Sequence, residues 1–570
     1  MGNYLRLKNQ SGVSLIAAIF IIVILAFMGM VFLTLFTVTS STSINELQST
    51  QALYVAEGGI ERSIRYFTSP TLTEREACAS ISAANTSLGS GQFSLTIEAG
   101  SPFYSSAATT VTDNPLTSGA TTINVGSTAG YASYGRIMID RELIDYTGTT
   151  ANSFTGALRG RDGTTAVSHA NGTRVGQDQC TVSSTGGIYN LTTPNARRQV
   201  REGIQLQEGW AVGDTGVILR WDGVSWSLFT TTGTWLRGVS MDSYANGWTV
   251  GDIVGGEAQI RRWTPDGTPA WDLNNYPNIS NDDRLNAVHT LSHNEAWAVG
   301  NDRGGGGNDA MIMHWDGTNW VYEDPAGNVN SNLNSVYMLD TDNDGIANAG
   351  WAVGDRYDGC AGGGPARLHT ILQLTGANWT RLGTPQIPAC SGNNRDLNGV
   401  FAVSVDEAWA VGDRRGCTDP GLTILRWNGA SSSWACSAGL PVVDENLFGI
   451  FMLDTDSDGL ANDGWAVGNT TGGRPTMLRW NYNCAGTAQN NQWNNCTASA
   501  PNTGQRLNSV FMITATDGWA VGNGGTILHW DGSSWSVHPQ SGVVTAQNLF
   551  SISIIGPKQR PQAMWREVFQ

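Results

Sequence analysis

Trp210-Ala-Val-Gly213, Trp248-Thr-Val-Gly251, Trp297-Ala-Val-Gly300, Trp351-Ala-Val-Gly354, Trp409-Ala-Val-Gly412, Trp465-Ala-Val-Gly468 and Trp519-Ala-Val-Gly522 are seven copies of one tetrapeptide, spaced 38 to 58 residues apart. Most copies follow a short apolar run (LRGVSM, LNAVHTL, LNSVYML, LNGVFAV, LFGIFML, LNSVFMI). Most precede a second run such as VILRWDG, MIMHWDG, TILRWNG or TILHWDG, and then a Trp-led segment. Four short strands in a unit of roughly 50 residues describe a β-propeller blade. Seven units predict a seven-bladed propeller over residues 207–558. The first copy lacks the preceding apolar run, whereas a spare one, Asn548 to Ile555, follows the seventh. That spare strand is expected to complete blade 1 and remove the open edges. A tryptophan at one fixed place in every unit reads as packing between blades rather than as a ligand platform.

Composition agrees with a β-rich chain: 570 residues hold 70 Gly and 22 Trp, with only 14% charged side chains. The balance of 32 basic against 48 acidic residues, a net charge of −16, argues against nucleic acid as a partner, which needs a basic face. Lys8 and Lys558 are the only lysines, so a Gly-Lys-Ser/Thr phosphate loop is absent and Schiff-base chemistry nearly excluded. No GxSxG or HExxH occurs, and the seven histidines are scattered. An enzyme is not expected.

The N-terminal region sets the compartment. Leu15 to Leu33 are 19 consecutive apolar residues, and no charge lies between Asn9 and Asn45. A helix of that kind reaches roughly 40 Å, enough to span a bilayer. Arg6 and Lys8 precede it, which predicts a cytoplasmic N-terminus and an exported remainder. Helical patterning continues from Ile44 to Phe67, with Leu47, Tyr54, Ile60, Ile64 and Phe67 expected near one face.

Lys8-Asn9-Gln10-Ser11-Gly12, followed by Val13-Ser14-Leu15-Ile16 and the apolar helix, resembles the start of a type IV pilin-like protein. The resemblance implies a leader of residues 1–12, cut by prepilin peptidase between Gly12 and Val13, and methylation of the new N-terminus. It implies that the helix 13–67 sits in the inner membrane and then packs against other pilins in a filament on the bacterial surface. Shaft pilins usually carry Glu at the fifth mature position, where it neutralises a neighbour's terminal amine. Here that position is Ala17. A subunit with no neighbour ahead of it loses nothing by this, so the departure fits a minor or tip-located pilin.

By the same resemblance, residues 68–102 and 179–206 form a pilin-like β domain, completed by 559–570. The chain is then mainly β with a long N-terminal helix, a pilin-like α/β domain carrying the inserted propeller. The last segment, Gln562 to Phe569, alternates like a strand and is expected to return beside Arg198–Leu206. Residues 103–178 read as an inserted small β-module.

Eight cysteines, Cys78, Cys180, Cys360, Cys390, Cys417, Cys436, Cys484 and Cys496, all follow the membrane segment, and no CxxC occurs. In an exported chain an even count reads as disulfides. Proximity in sequence suggests Cys360–Cys390, Cys417–Cys436 and Cys484–Cys496, leaving Cys78–Cys180.

Two blades differ in a chemically specific way. The inner-strand valine or isoleucine lies 9 residues before the WAVG tryptophan in four repeats, but 15 before it at Val336–Trp351 and Ile450–Trp465. The added residues place Asp340, Asp342, Asp344, Gly345, Ile346 and Asn348 in one loop, and Asp454, Asp456, Asp458, Gly459, Leu460 and Asn462 in the other. Alternating carboxylates wrap a hard cation, glycine permits the turn, and Ile346 or Leu460 can offer a carbonyl. Each loop is therefore a candidate structural Ca2+ site. An EF-hand's terminal Glu is replaced by Trp351 or Trp465.

Taken together, these features predict a minor or tip-located pilus-like subunit presenting a propeller for adhesion to a glycan or protein ligand. The alternatives are a pilus assembly initiator capped by a structural propeller, and a membrane-anchored periplasmic propeller in envelope assembly or hydrolysis.

Overall fold

The computed structural model describes residues 15–68, 83–97, 109–129, 131, 135–139, 142–161, 165–177, 180–192, 194–204, 207–243, 246–254, 257–263, 271–273, 284–302, 309–323, 331–342, 344–355, 370–382, 396–414, 417, 421–556 and 566–568. Gly12, Val13, Cys78, Cys360 and Cys390 lie outside them, and Cys180 is described in its backbone alone.

Seven four-stranded antiparallel sheets form from Glu208 to Ile555, one per tetrapeptide repeat. Blade 2 shows the pattern: Leu236–Ser243 innermost, then Asn246–Val254, Glu257–Trp263 and Trp271–Leu273. The inner strands of blades 3 to 7 are Arg284–Ser292, Leu333–Leu339, Leu397–Ala402, Leu447–Leu453 and Leu507–Thr514. Blade 1 takes its inner strand from the far end of the chain. Leu549–Ile555 pairs with Glu208–Gly213, Trp210 facing Ser553, and Val217–Trp221 and Trp226–Thr231 lie outside. Each inner strand packs against the next, and that of blade 7 packs against that of blade 1, so the ring closes. Hydrogen bonds join the late strand Leu549–Ile555 to the inner strand of blade 2, from Val239 N and Met241 N to Ser551 Oγ and Ser553 Oγ, at 3.2 and 3.1 Å.

The tryptophans explain why the tetrapeptide repeats. Each WAVG indole is buried and inserts among rings of the following blade. Trp210 meets Trp263 at 4.4 Å and Trp271 at 5.3 Å. Trp248 meets Trp315 and Trp320, both at 4.9 Å. Trp297 meets Trp379, Trp351 meets Trp427, Trp409 meets Trp480 and Trp493, and Trp465 meets Trp530 and Trp535. Trp519 meets Trp221 at 4.6 Å, which carries the chain of contacts from blade 7 back to blade 1. Many of these pairs are edge-to-face, placing a positive ring edge on a negative face, an arrangement worth about 0.5–1.5 kcal/mol beyond area burial.

Outside the propeller, the helix Leu15–Thr68 packs its last part on a five-stranded sheet. The strand order is Ala83–Leu88, Gly91–Ile97, Cys180–Ile188, Arg197–Ile204 and Arg566–Val568. The chain leaves this sheet after Ile204, builds the propeller, and returns so that Arg566–Val568 pairs with Gln199–Arg201. Residues 109–177 interrupt the sheet between two adjacent strands and form two small sheets around their own core of Val111, Ile137, Ile139, Ile144, Phe154 and Val175.

One expectation about the helix is corrected. Leu47 and Tyr54 point outward, 59% and 64% exposed, while Ala52, Val55, Ala56 and Ile60 face the sheet. Close approach is the reason. A Cβ on Gly186 would lie 2.4 Å from the Ala52 carbonyl oxygen, and one on Gly59 would lie 2.1 Å from Ser184 Oγ. Ala52, Ala56 and Gly59 therefore choose the contact face, which Val55 and Ile60 share, and Leu47 and Tyr54 are left outside. The preceding apolar stretch is exposed through Ile19–Val38, long and apolar enough to cross a membrane.

Candidate functional site

The two acidic loops adopt the same conformation. Asp340 accepts from the backbone N–H of Asp344 (3.2 Å) and Gly345 (2.8 Å), and Asp344 accepts from Ile346 N (2.8 Å). Asp454 and Asp458 repeat this with Asp458, Gly459 and Leu460, at 3.2, 2.8 and 2.8 Å. Gly345 and Gly459 turn the chain at φ +87° and +84°, the left-handed region that disfavours other residues. Carboxylate oxygens of Asp340, Asp342 and Asp344 lie within 4.8 Å of one another, as do those of Asp454, Asp456 and Asp458. Three carboxylates so close suit a hard divalent cation.

Asn348 and Asn462 turn their carboxamide oxygens to Thr341 and Thr455, closing each loop at its base. Ile346 and Leu460 present their side chains outward, 55% and 45% exposed. Slight burial tends to raise the Asp454 carboxyl, but backbone N–H donors from Gly459, Ser457 and Asp458 help outweigh it and leave the carboxyl below its usual range.

Both loops lean on the preceding blade. Ser292 Oγ donates to Gly345 O and Ser404 Oγ to Gly459 O, each at 2.8 Å. Ala347 N donates to the buried Glu295, and Ala461 N to the buried Glu407. Each loop thus joins two blades. Whatever orders the loop also ties blade 4 to blade 3, or blade 6 to blade 5.

Sequence reasoning missed a second repeated constellation. Two residues before the WAVG tryptophan stands a carboxylate, and opposite the tryptophan on the next strand stands an arginine or a histidine. The pairs are Glu208–Arg220 (2.6 Å), Glu295–His314 (2.9 Å), Glu407–Arg426, Asp463–Arg479 (2.7 Å) and Asp517–His529 (2.8 Å). In blade 2, Asn246 takes the carboxylate's place beside Arg262, at 3.0 Å. This residue covers the indole: Arg262 lies 4.9 Å from the Trp248 ring and Arg426 5.0 Å from Trp409 as cations over a π face, and the His314 ring stacks on Trp297 at 4.1 Å. Blade 4 has Ala349 and Gln373 at these places. Burial pushes the Glu208 carboxyl up, against the pull of Arg220. The recurring E/D-x-W and R/H-W pairs were visible in the sequence, yet only the sheet register puts them in contact.

The channel is lined by the inner strands. Asn286, Asn334, Asn398 and Asn508 occupy one repeated position, and each Nδ2 donates to the leucine carbonyl of the next blade: Leu333, Leu397, Leu447 and Leu549, at 2.8, 3.0, 2.9 and 2.7 Å. Arg237, Phe448 and Phe550 replace this asparagine in blades 2, 6 and 1. Three residues on, His289, Tyr337, Phe401, Phe451 and Phe511 form a continuous ladder with centroids 4.3 to 4.9 Å apart. Its surroundings depress His289 to about 4 and push Tyr337 up to about 12, both by desolvation. A cavity of about 180 Å³ lies at the level of the asparagines.

Of the expected disulfides, Cys417–Cys436 and Cys484–Cys496 are formed. The Cys360–Cys390 and Cys78–Cys180 pairings involve side chains outside the described residues.

No protein-family model and no curated protein matches the chain. Solved structures that are similar include YCF48 bound to D1 peptide, at 17% identity and TM-score 0.36, covering 55% of this chain and 83% of that one. YCF48 from Cyanidioschyzon merolae is similar at 18% identity and TM-score 0.36, over 55% of this chain and 88% of that one. Both are β-propellers.

Proposed function

We propose that this chain is a minor or tip-located subunit of a type IV pilus-like filament and that its propeller is the adhesive head. The observation that carries the reading is the insertion. The propeller is spliced into the edge of a small helix-and-sheet domain, between Ile204 and Arg566, whose helix bears an exposed apolar half. The chain ends of a propeller meet in one blade, so the host sheet accepts the insertion without opening. In this reading the exposed stretch of the helix rests in the inner membrane and then packs among other pilins, after prepilin peptidase has cut at Gly12–Val13.

Channel and loops then act as a binding head without catalytic machinery, and each acidic loop takes Ca2+ to fix a blade pair. Mass spectrometry of sheared surface filaments tests the reading. A methylated peptide starting at Val13, at low stoichiometry, is the expected result. Recovery solely of intact Met1 protein in the inner membrane would overturn it.

A further inference from the structure

Of the 22 tryptophans, 20 fill repeated blade positions. Trp235 belongs to no repeat slot, and among the described residues it is the one exposed tryptophan, at 44%. It stands immediately before the inner strand of blade 2, beside a pocket of about 400 Å³ lined by Gly233, Thr234, Trp235, Asp252, Ile253 and Arg284. That volume lies in the range of small-ligand sites.

The indole is held rather than merely exposed. Its carbonyl accepts from Asp252 N (2.9 Å) and from Gln259 Nε2 (3.1 Å), and Gln259 also donates to Thr234 Oγ1 (2.6 Å). Arg237 lies 5.2 Å from the ring centroid, and Phe550 meets the indole at 5.7 Å. Arg237 in turn grips Asp252 through two hydrogen bonds, 2.5 and 3.2 Å. An aromatic ring with a fixed carboxylate–guanidinium pair, the guanidinium over the ring, is a preorganised recognition element.

Two departures from the repeat border this pocket: Arg237 and Phe550, both set against the Trp235 ring, stand where blades 3, 4, 5 and 7 have asparagine. In repeat folds, shared positions build the ring and local departures carry binding.

We infer that the Trp235 pocket binds a neutral saccharide unit, an inference that rests on the adhesive reading above. An indole face stacks on the C–H face of a sugar ring. The Asp252–Arg237 pair sets an acceptor beside donors, matching vicinal hydroxyls that both give and accept. Arg237 is neutralised by Asp252; Arg284, whose Nε donates to the neutral Asn301 Oδ1 at 3.1 Å, keeps its charge, so binding of an anionic glycan is the competing outcome. A peptide adding as a strand needs free edge N–H groups; Leu236–Ser243 ends its sheet, but its Val239 and Met241 N–H groups already donate to Ser551 and Ser553 of blade 1.

The test applies full-length protein in detergent to an array of neutral and anionic oligosaccharides. Neutral glycans should be bound, and Trp235→Ala should weaken binding by about tenfold or more. Trp235→Phe should retain part of it, and Val442→Ala, at a fully solvated site, should change nothing. Binding of anionic glycans alone, no binding by the folded protein, or a Trp235→Ala variant that binds like the wild type would each overturn the assignment. Cell attachment separates this from the parent reading. If cells carrying Trp235→Ala attach normally while cells lacking the chain do not, adhesion stands and this site falls. If cells lacking the chain also attach normally, the adhesive reading itself falls.

Discussion

Around the channel, blades 3 to 7 carry an unbroken run of rings, His289, Tyr337, Phe401, Phe451 and Phe511, whereas blades 1 and 2 carry Ser553 and Ser240 at the same strand position. The asparagine clasps follow a similar division, present in blades 3, 4, 5 and 7 and absent from 1, 2 and 6. The blade interfaces, by contrast, keep their tryptophans all the way round, across the 7-to-1 seam included. Ring closure and channel lining are thus separate properties. Interfaces hold the disc, and the lining varies from blade to blade.

The sharpest way to break this contrast is to remove a ring from each side of it. Trp409→Ala empties a buried site among Trp480, Trp493 and Arg426 and should cost about 3–5 kcal/mol in denaturant unfolding. Trp235→Ala should cost less, about 1–2 kcal/mol, because nearly half of the residue is already solvated. Equal costs would show that Trp235 is a structural residue after all.

Next in size is the metal. With Ca2+ at about a hundred times its Kd, one occupied loop stabilises by about 2.7 kcal/mol. Asp342→Ala should reduce the calcium-induced rise in melting temperature, and Asp342→Ala with Asp456→Ala should abolish it. An unchanged response would remove calcium from the account.

A smaller effect is expected at the clasps. Asn398→Ala leaves the Leu447 carbonyl without its donor and should cost about 1–2 kcal/mol by equilibrium denaturation. Arg237→Ala, in a blade without the clasp, should cost less.

The smallest expected effect concerns pH. His289 is depressed to about 4 by desolvation, so the folded state binds its proton less readily than the unfolded chain. Its stabilising contribution is complete above pH 6.5 and is lost as pH falls from there towards 4. His289→Phe, which restores the ladder's usual residue, should reduce the drop in melting temperature between pH 7.5 and 5. A drop of unchanged size would show that His289 does not titrate with folding.

Much of this was legible before any coordinates. Repeats, unit length and the spare strand at Asn548–Ile555 specify blade number and closure, because a strand without a partner in its own blade has one place left to pair. Both acidic loops were visible as a six-residue insertion. The helix was misread at Leu47 and Tyr54, since apolar periodicity ranks side chains by hydrophobicity and is blind to how closely two backbones approach. At the helix–sheet contact, Gly59 and Gly186 decide that approach. Trp235 carried a signal that went unused: it is a tryptophan outside the repeat, one residue before an inner strand.

By itself the sequence determined the elements and their count, since strand alternation, repeat length and an apolar helix are local properties. Tertiary structure decided which residues meet. Trios of carboxylate, arginine or histidine, and indole join neighbouring strands, asparagine clasps join neighbouring blades, and Arg566–Val568 reaches back across the whole propeller to Gln199–Arg201. The physical reason is register. Which face a side chain occupies, and what stands opposite it, depends on pairing between segments tens or hundreds of residues apart, and one residue of slip would exchange the two faces.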